Sequence, residues 1–176
     1  LLKEWRKPII ATSGNLSGSP IVYEDHQAIL ELGAIADVFL VHDREIQISE
    51  DDSVMRFSKN HRLFLRRSRG YAPTFLNTQF ASGQDCILAM GSDMKSAFTL
   101  QATGRIYISQ YLGDLETYDS QQSYRHTLDH LLSLVRVKPQ QIVIDAHPNY
   151  FSSQLGKQLA ECWQIPVEEV FHHEAH

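Results

Sequence analysis

Several features are scarce in this chain, and each scarcity removes a class of protein. Cysteine occurs twice, as Cys86 and Cys162, too few and too far apart for a disulfide framework. Reduced thiols in a cytoplasmic setting are the simpler expectation. No apolar run approaches the ~18–20 residues that a membrane-spanning helix needs, so no membrane association is expected. Residues 1–8 carry basic side chains and Trp5 but no apolar stretch with a small-residue cleavage site, so a secretory leader is not expected. Basic charge is not in excess. The formal net charge is −5, which argues against a broad nucleic-acid surface. Internal repeats, low-complexity tracts and the G-x-x-x-x-G-K-[ST] phosphate loop are absent as well.

What remains is an ordinary apolar fraction, 43%, enough for a real core in one large domain or two small ones. Residues 8–13 (PIIATS) form an apolar, β-branched run that predicts a buried strand. It empties into Gly14-Asn15-Leu16-Ser17-Gly18-Ser19-Pro20, a cluster of loop formers. Residues 24–32 carry Ala28, Ile29 and Leu32 at helical spacing, with Gly33 as the stop. A second short strand is expected over residues 37–41, ending at His42-Asp43-Arg44, and two more over 53–57 and 63–67. Residues 77–84 (NTQFASGQ) are polar and small, and predict a domain boundary, giving domains at 1–78 and 79–176.

Beyond it the pattern changes. Residues 86–90, 96–100 and 105–109 are three strand candidates separated by Gly91-Ser92-Asp93 and by Thr103-Gly104, turns of the kind that close hairpins. Residues 120–135 carry Tyr124, Leu128, Leu131, Leu132 and Val135 on one helical face. Residues 141–145 (QIVID) predict a strand, and Pro148 is expected to open a helix that runs to Trp163. A final strand is expected over 167–171. The order β-β-β-α-β-α-β predicts a mixed sheet covered by helices, an α/β arrangement shared by ribonuclease-H-like and actin/sugar-kinase-like domains.

Five segments can carry chemistry. His172 and His176 in the terminal HHEAH lie four apart, so on a helix they share a face and suit two ligands of one Zn²⁺ or Fe²⁺. The zinc-protease pattern H-E-x-x-H does not fit, because His173 stands where the Glu belongs. A solvated His cluster or a purification tag is the plainer alternative. The Thr12–Gly18 loop offers N–H groups, hydroxyls and an amide to a phosphate, and reads equally as a polar turn. Among Arg62, Arg66, Arg67 and Arg69, strand alternation sends Arg67 and Arg69 to one face and Arg66 to the other. A guanidinium pair can clamp a phosphate, and a charged edge strand resisting aggregation is the alternative. Gly91 allows close backbone approach to a phosphate, with Lys95 to neutralise it. Asp145-Ala146-His147-Pro148 ends a strand before a helix; Asp145 is either a ligand contact or a helix cap.

In order, these segments resemble one family. PIIATSGNLSGSPI is similar to the T-S-x-N-x-S-G signature of YrdC-like domains. VHDREI, DDSVMR and LRRSRGYAP resemble the segments that follow it in HypF-type carbamoyltransferases of [NiFe]-hydrogenase maturation. AMGSDMKSAFTL, ISQYLGDLE, IDAHPNYFSS and VFHHEAH resemble successive motifs of the adjoining domain, related to tRNA threonylcarbamoyl transferases. The resemblance covers essentially the whole chain. It implies the C-terminal part of a YrdC-like α/β domain, then the N-terminal half of an actin/sugar-kinase-like (ribonuclease-H-like) domain.

That resemblance also implies a reaction. ATP, with Mg, and carbamoyl phosphate would give carbamoyl adenylate, and the carbamoyl group would pass to a C-terminal Cys of a HypE-type partner on the way to cyanide. Ser13 and Asn15 would hold the nucleotide or acyl phosphate, with His42, Arg44, Asp52, Arg67 and Arg69 lining that site. Gly91 and Lys95 would lie near nucleotide phosphates in the second domain. His172 and His176 would be two ligands of its Zn or Fe. Departures from the family pattern are Asp43 and Glu45 in the His42 turn, and Glu174 where a third His is common. Without an initiator Met and ending on His, the chain reads as an internal piece of a longer protein, inactive alone and prone to dimerise through uncovered sheet edges. A related O-carbamoyltransferase or tRNA-modifying enzyme, and a non-catalytic nucleotide- or metal-binding module, are the alternatives.

Overall fold

The structure is a computed structural model that describes residues 2–76 and 85–175. Residues 77–84, from which a domain boundary was expected, and His176 lie outside the described residues. Two compact units are formed, Leu1–Ser49 and Glu50–His176.

The first unit holds a single turn, α1 (Leu2–Trp5), and one regular helix, α2 (Asp25–Leu32), which stops where Gly33 N–H donates to Ile29 O. Between them the Gly14–Pro20 loop closes on itself. Val22 N donates to Gly14 O at 2.9 Å and Ser19 N to Leu16 O at 3.0 Å. The strands expected over 8–13 and 37–41 do not form. The physical reason is the ladder: β-branched apolar sequence fits a pleated surface only when a neighbour supplies hydrogen bonds and cover. No described segment does so here. Ile10 is 94% exposed and Leu40 95%.

The second unit opens with a hairpin, β1 (Val54–Ser58) against β2 (His61–Arg66), antiparallel with a bulge at Val54/Met55. A six-stranded mixed sheet follows. Its strands are β3 (Thr74–Leu76), β4 (Ile87–Ala89), β5 (Thr99–Ala102), β6 (Arg105–Ile108), β7 (Gln141–Asp145) and β8 (Val167–Val170), in the spatial order β3-β6-β5-β4-β7-β8. β4, β5 and β6 form an antiparallel meander, while β4–β7 and β7–β8 run parallel. With helices α3 (Tyr118–Val135) and α4 (Phe151–Trp163) between them, β4 to β8 realise the expected β-β-β-α-β-α-β order. β3 had no counterpart in the sequence reading. Its three residues pair with β6, a partner too far along the chain for any local signal.

Alternation works as the strand period requires. Ile142 and Ile144 of β7 are buried between half-exposed neighbours, and meet Leu88, Met90, Phe98, Leu100, Tyr124, Leu128 and Leu155 in one core. Gly156 sets the distance between α4 and the sheet, since a Cβ there would sit 2.5 Å from Ile144 Cγ2 and 3.0 Å from Met90 Cγ. Most boundaries shift by one or two residues, and two elements start three residues later than expected. β5 begins at Thr99 rather than Ser96, because Ser96 bridges instead to Gly113, and the 91–93 turn widens into a folded connection. α4 begins at Phe151, so Pro148 precedes the helix rather than opening it. Among the described residues no helix is long and apolar enough to cross a membrane.

Candidate functional site

In the first unit Ser13 is exposed and Asn15 half-buried. Asn15 spends its amide locally: Nδ2 donates to Leu16 O at 3.0 Å and to Ser19 O at 2.8 Å. The side chain therefore holds the loop's shape. His42 and Arg44 form a turn of their own, with Arg44 N donating to His42 Nδ1 at 3.1 Å, and both are exposed.

In the second unit each arginine of the 66–69 stretch has a protein partner. Arg66 pairs with Asp51 and lies over the Tyr111 ring at 5.4 Å. Arg67 is half-buried. It donates to Ile108 O at 3.1 Å and to Thr74 Oγ1, and desolvation lowers its guanidinium below the ordinary arginine range. Its contacts reach β6 and the start of β3, so it braces the approach to the sheet. Arg69 donates to Glu50 O at 2.8 Å and faces Asp52 Oδ1 at 3.6 Å. Of the predicted residues in this stretch, the structure brings Asp52 and Arg69 together. Strand β2 stops at Arg66, so the alternation expected to align Arg67 with Arg69 ends before either.

The 90–98 connection is held from several sides. Gly91 has φ +71°, and a Cβ there would lie 2.1 Å from Ala97 O. Lys95 is exposed, at φ +49°, and its N–H donates to Asp114 Oδ1 at 2.7 Å. Asp93, between them, was not singled out in the sequence and is the busiest group in the loop. Its carboxylate accepts from Phe151 N at 2.6 Å, Ser152 N at 2.9 Å and Ser152 Oγ at 2.8 Å. Tyr150, the N-cap residue of α4, makes no side-chain capping bond, so Asp93 supplies from far along the chain the acceptor that a helix N-terminus requires. Burial first, and the Asp93 charge second, push the phenol of nearby Tyr124 up. Its OH donates to Met90 O at 2.6 Å.

Beside this loop lies a cleft of about 480 Å³, lined by Asp93, Asp114, Glu116, Gln121, His147 and Tyr150 among others. His147 stacks on Tyr150, ring centroids 4.0 Å apart. The carboxylates of Asp93 and Asp114 are already committed to backbone N–H groups, so the cleft wall is both acidic and rigid.

At the carboxyl ends of β7 and β8, His172 opens the short helix α5 (His172–Ala175). Its Nδ1 lies 3.1 Å from Asp145 Oδ2. Asp145 does not cap α4; its Oδ1 accepts from His147 N at 2.8 Å. His173 stacks on Phe171 instead. Among the described residues no group of three or more His, Cys, Asp or Glu gathers as a metal cage. An imidazole held by a carboxylate through Nδ1 nonetheless has the chemistry of a metal ligand, so His172 fits the expected group.

Two family models match, in the order in which the motifs run. Residues 82–176 match the HypF Kae1-like domain, and residues 1–68 match a Sua5/YciO/YrdC model described as telomere recombination. The chain belongs to the HypF family. Carbamoyltransferase HypF of Synechocystis is 43% identical over all 176 residues, which are 22% of its own length. A probable carbamoyltransferase HypF of Methanocaldococcus jannaschii is 33% identical over 168 residues, 95% of this chain and 22% of that one. Among solved structures, full-length HypF in a phosphate- and nucleotide-bound form superposes with a TM-score of 0.86 at 36% identity, covering 94% of this chain and 25% of that one. HypF of T. kodakarensis gives 0.83 at 34% identity, covering 94% and 21%. The chain thus spans about a fifth to a quarter of the HypF proteins it matches.

Proposed function

We propose that this chain serves as part of a carbamoyltransferase of hydrogenase maturation. The observation that carries the reading is the match of the whole of this chain to a protein named carbamoyltransferase HypF, 43% identical over 176 residues. In this reading residues 1–78 belong to a YrdC-like domain in which carbamoyl phosphate, water and ATP, with Mg, yield carbamoyl adenylate, phosphate and pyrophosphate. Residues 79–176 belong to the domain that transfers the carbamoyl group. The carbamoyl carbon forms a bond to a cysteine sulfur of a HypE-type partner as its bond to the AMP phosphate oxygen breaks, and AMP leaves. The setting is cytoplasmic.

Residue roles follow the chemistry of the groups. Ser13 and the N–H groups of the loop that Asn15 holds in shape are donors for an acyl phosphate or nucleotide. In the first unit His42 and Arg44 would contact that ligand, Arg44 as a cation for its phosphates. In the second unit Asp52 and Arg69 are candidates for ligand contact on their own, and Arg67 braces the sheet from Ile108 O and Thr74 Oγ1. Gly91 and Lys95 approach nucleotide phosphates in the second domain. His172 and His176 are two ligands of a Zn or Fe ion, and a metal bound there polarises the carbamoyl carbonyl. The test is carbamoyl-phosphate-dependent exchange of pyrophosphate into ATP by a full-length HypF protein carrying this sequence. Exchange is expected, and its absence refutes the adenylation step.

A further inference from the structure

Asp145 is the last residue of β7, and its register partner on the parallel neighbour β8 is Val170. Ala146 N donates to Val170 O at 3.0 Å, so the two strands leave the sheet in step. His172 stands two residues beyond Val170. The Asp145 carboxylate and the His172 ring therefore emerge at the same edge, and meet with Nδ1 at 3.1 Å from Oδ2.

The two partners are unequal. The Asp145 side chain is 10% exposed and the His172 side chain 60%. Asp145 is also pinned: Oδ1 accepts from His147 N at 2.8 Å, and its carbonyl oxygen accepts from Ser153 Oγ at 2.8 Å. An exposed ion pair would have neither the burial nor the anchoring, and would contribute little. Here a buried, anchored carboxylate meets an exposed imidazole, and the carboxylate sets the ring.

We propose that Asp145 is the positioning residue for His172 as a metal ligand, an inference that rests on the metal reading above. A carboxylate on Nδ1 holds the Nδ1–H tautomer and leaves Nε2 as the nitrogen presented to a metal. It fixes the ring plane as well, which a four-residue helix cannot do alone. Both Asp145 oxygens are engaged by protein N–H groups in this role, so Asp145 orients the ligand and is not one itself.

The experiment uses the full-length protein with ¹⁵N-labelled histidine, and Zn²⁺ as the probe. Metal-free protein at a pH where imidazole is neutral is expected to show His172, assigned by its loss in His172→Ala, as the Nδ1–H tautomer. Asp145→Asn is expected to shift it toward Nε2–H and to weaken Zn²⁺ binding, by chelator competition, about 10–100-fold. His172→Ala is expected to weaken it further. An Nε2–H tautomer in the unmutated protein overturns the proposal whether or not any variant folds. Weakened Zn²⁺ binding in Asp145→Asn with the tautomer unchanged overturns it too, because Asp145 is then a ligand. Unchanged affinity in Asp145→Asn beside a weakened His172→Ala overturns the positioning role alone. Unchanged affinity in His172→Ala overturns the metal reading, and the inference with it.

Discussion

Replacing Asp93 by alanine tests how the candidate phosphate loop is tied to the helix behind it. The substitution removes three hydrogen bonds of 2.6, 2.9 and 2.8 Å from a partly buried carboxylate. Hydrogen bonds to charged groups contribute about 1.5–3 kcal/mol each. They do not add here, because water enters an opened helix end. A lost cap costs about 0.5–2 kcal/mol and a lost anion at a helix N-terminus about 0.3–1 kcal/mol, so the expected total is about 1–3 kcal/mol. With a urea slope of about 2 kcal/mol/M, a loss of about 2 kcal/mol lowers the midpoint by about 1 M. Asp93→Asn keeps one acceptor oxygen and should lose about half as much. The assay is urea unfolding of these 176 residues followed by Trp163, the last residue of α4, in a Trp5→Phe background that leaves it the sole tryptophan among them. An Asp93→Ala midpoint equal to wild type, or an Asn variant as damaged as the Ala variant, would refute the capping argument.

Two further outcomes follow from backbone geometry and burial. Gly91→Ala should cost about 2–4 kcal/mol, combining left-handed strain with a collision against backbone. Gly70→Ala, at φ +83° with nothing within 4 Å of its Cβ, should lose only the strain, about 1–2 kcal/mol; equal midpoints for the two in urea would sink the steric part. In native protein at pH 8, Ellman's reagent should modify exposed Cys162 first. Buried Cys86, its thiol pushed up by desolvation, should react only after unfolding. Both thiols reacting at one rate would contradict the described core.

Much of the second unit was legible because its signals are local and periodic. The strand over 141–145 has the apolar, β-branched run Ile142-Val143-Ile144 at its centre, and the strand buries Ile142 and Ile144 between half-exposed neighbours. Tyr124, Leu128 and Leu131 fall on the buried face of α3 at helical spacing. The order of strands and helices follows from those periods, and the family resemblance is carried by eight ordered motifs. The strands expected over 8–13 and 37–41 had equally good local signals. They failed to form because a strand is a property of a pair.

The sequence by itself thus determined which segments can be helix or strand, which positions face a core, and which side chains have the chemistry for phosphate or metal. Tertiary structure decided the partners. It enrolled Thr74–Leu76 in the sheet through β6, turned Arg67 inward onto Ile108 O and Thr74, and sent Asp93 to cap a helix that begins 58 residues later. It also turned Asp145 from a candidate helix cap into the carboxylate that meets His172. Each of these depends on two segments distant in sequence arriving at one edge of a sheet. Periods of 2 and 3.6 residues record which face a side chain takes, and carry no information about what comes to meet it.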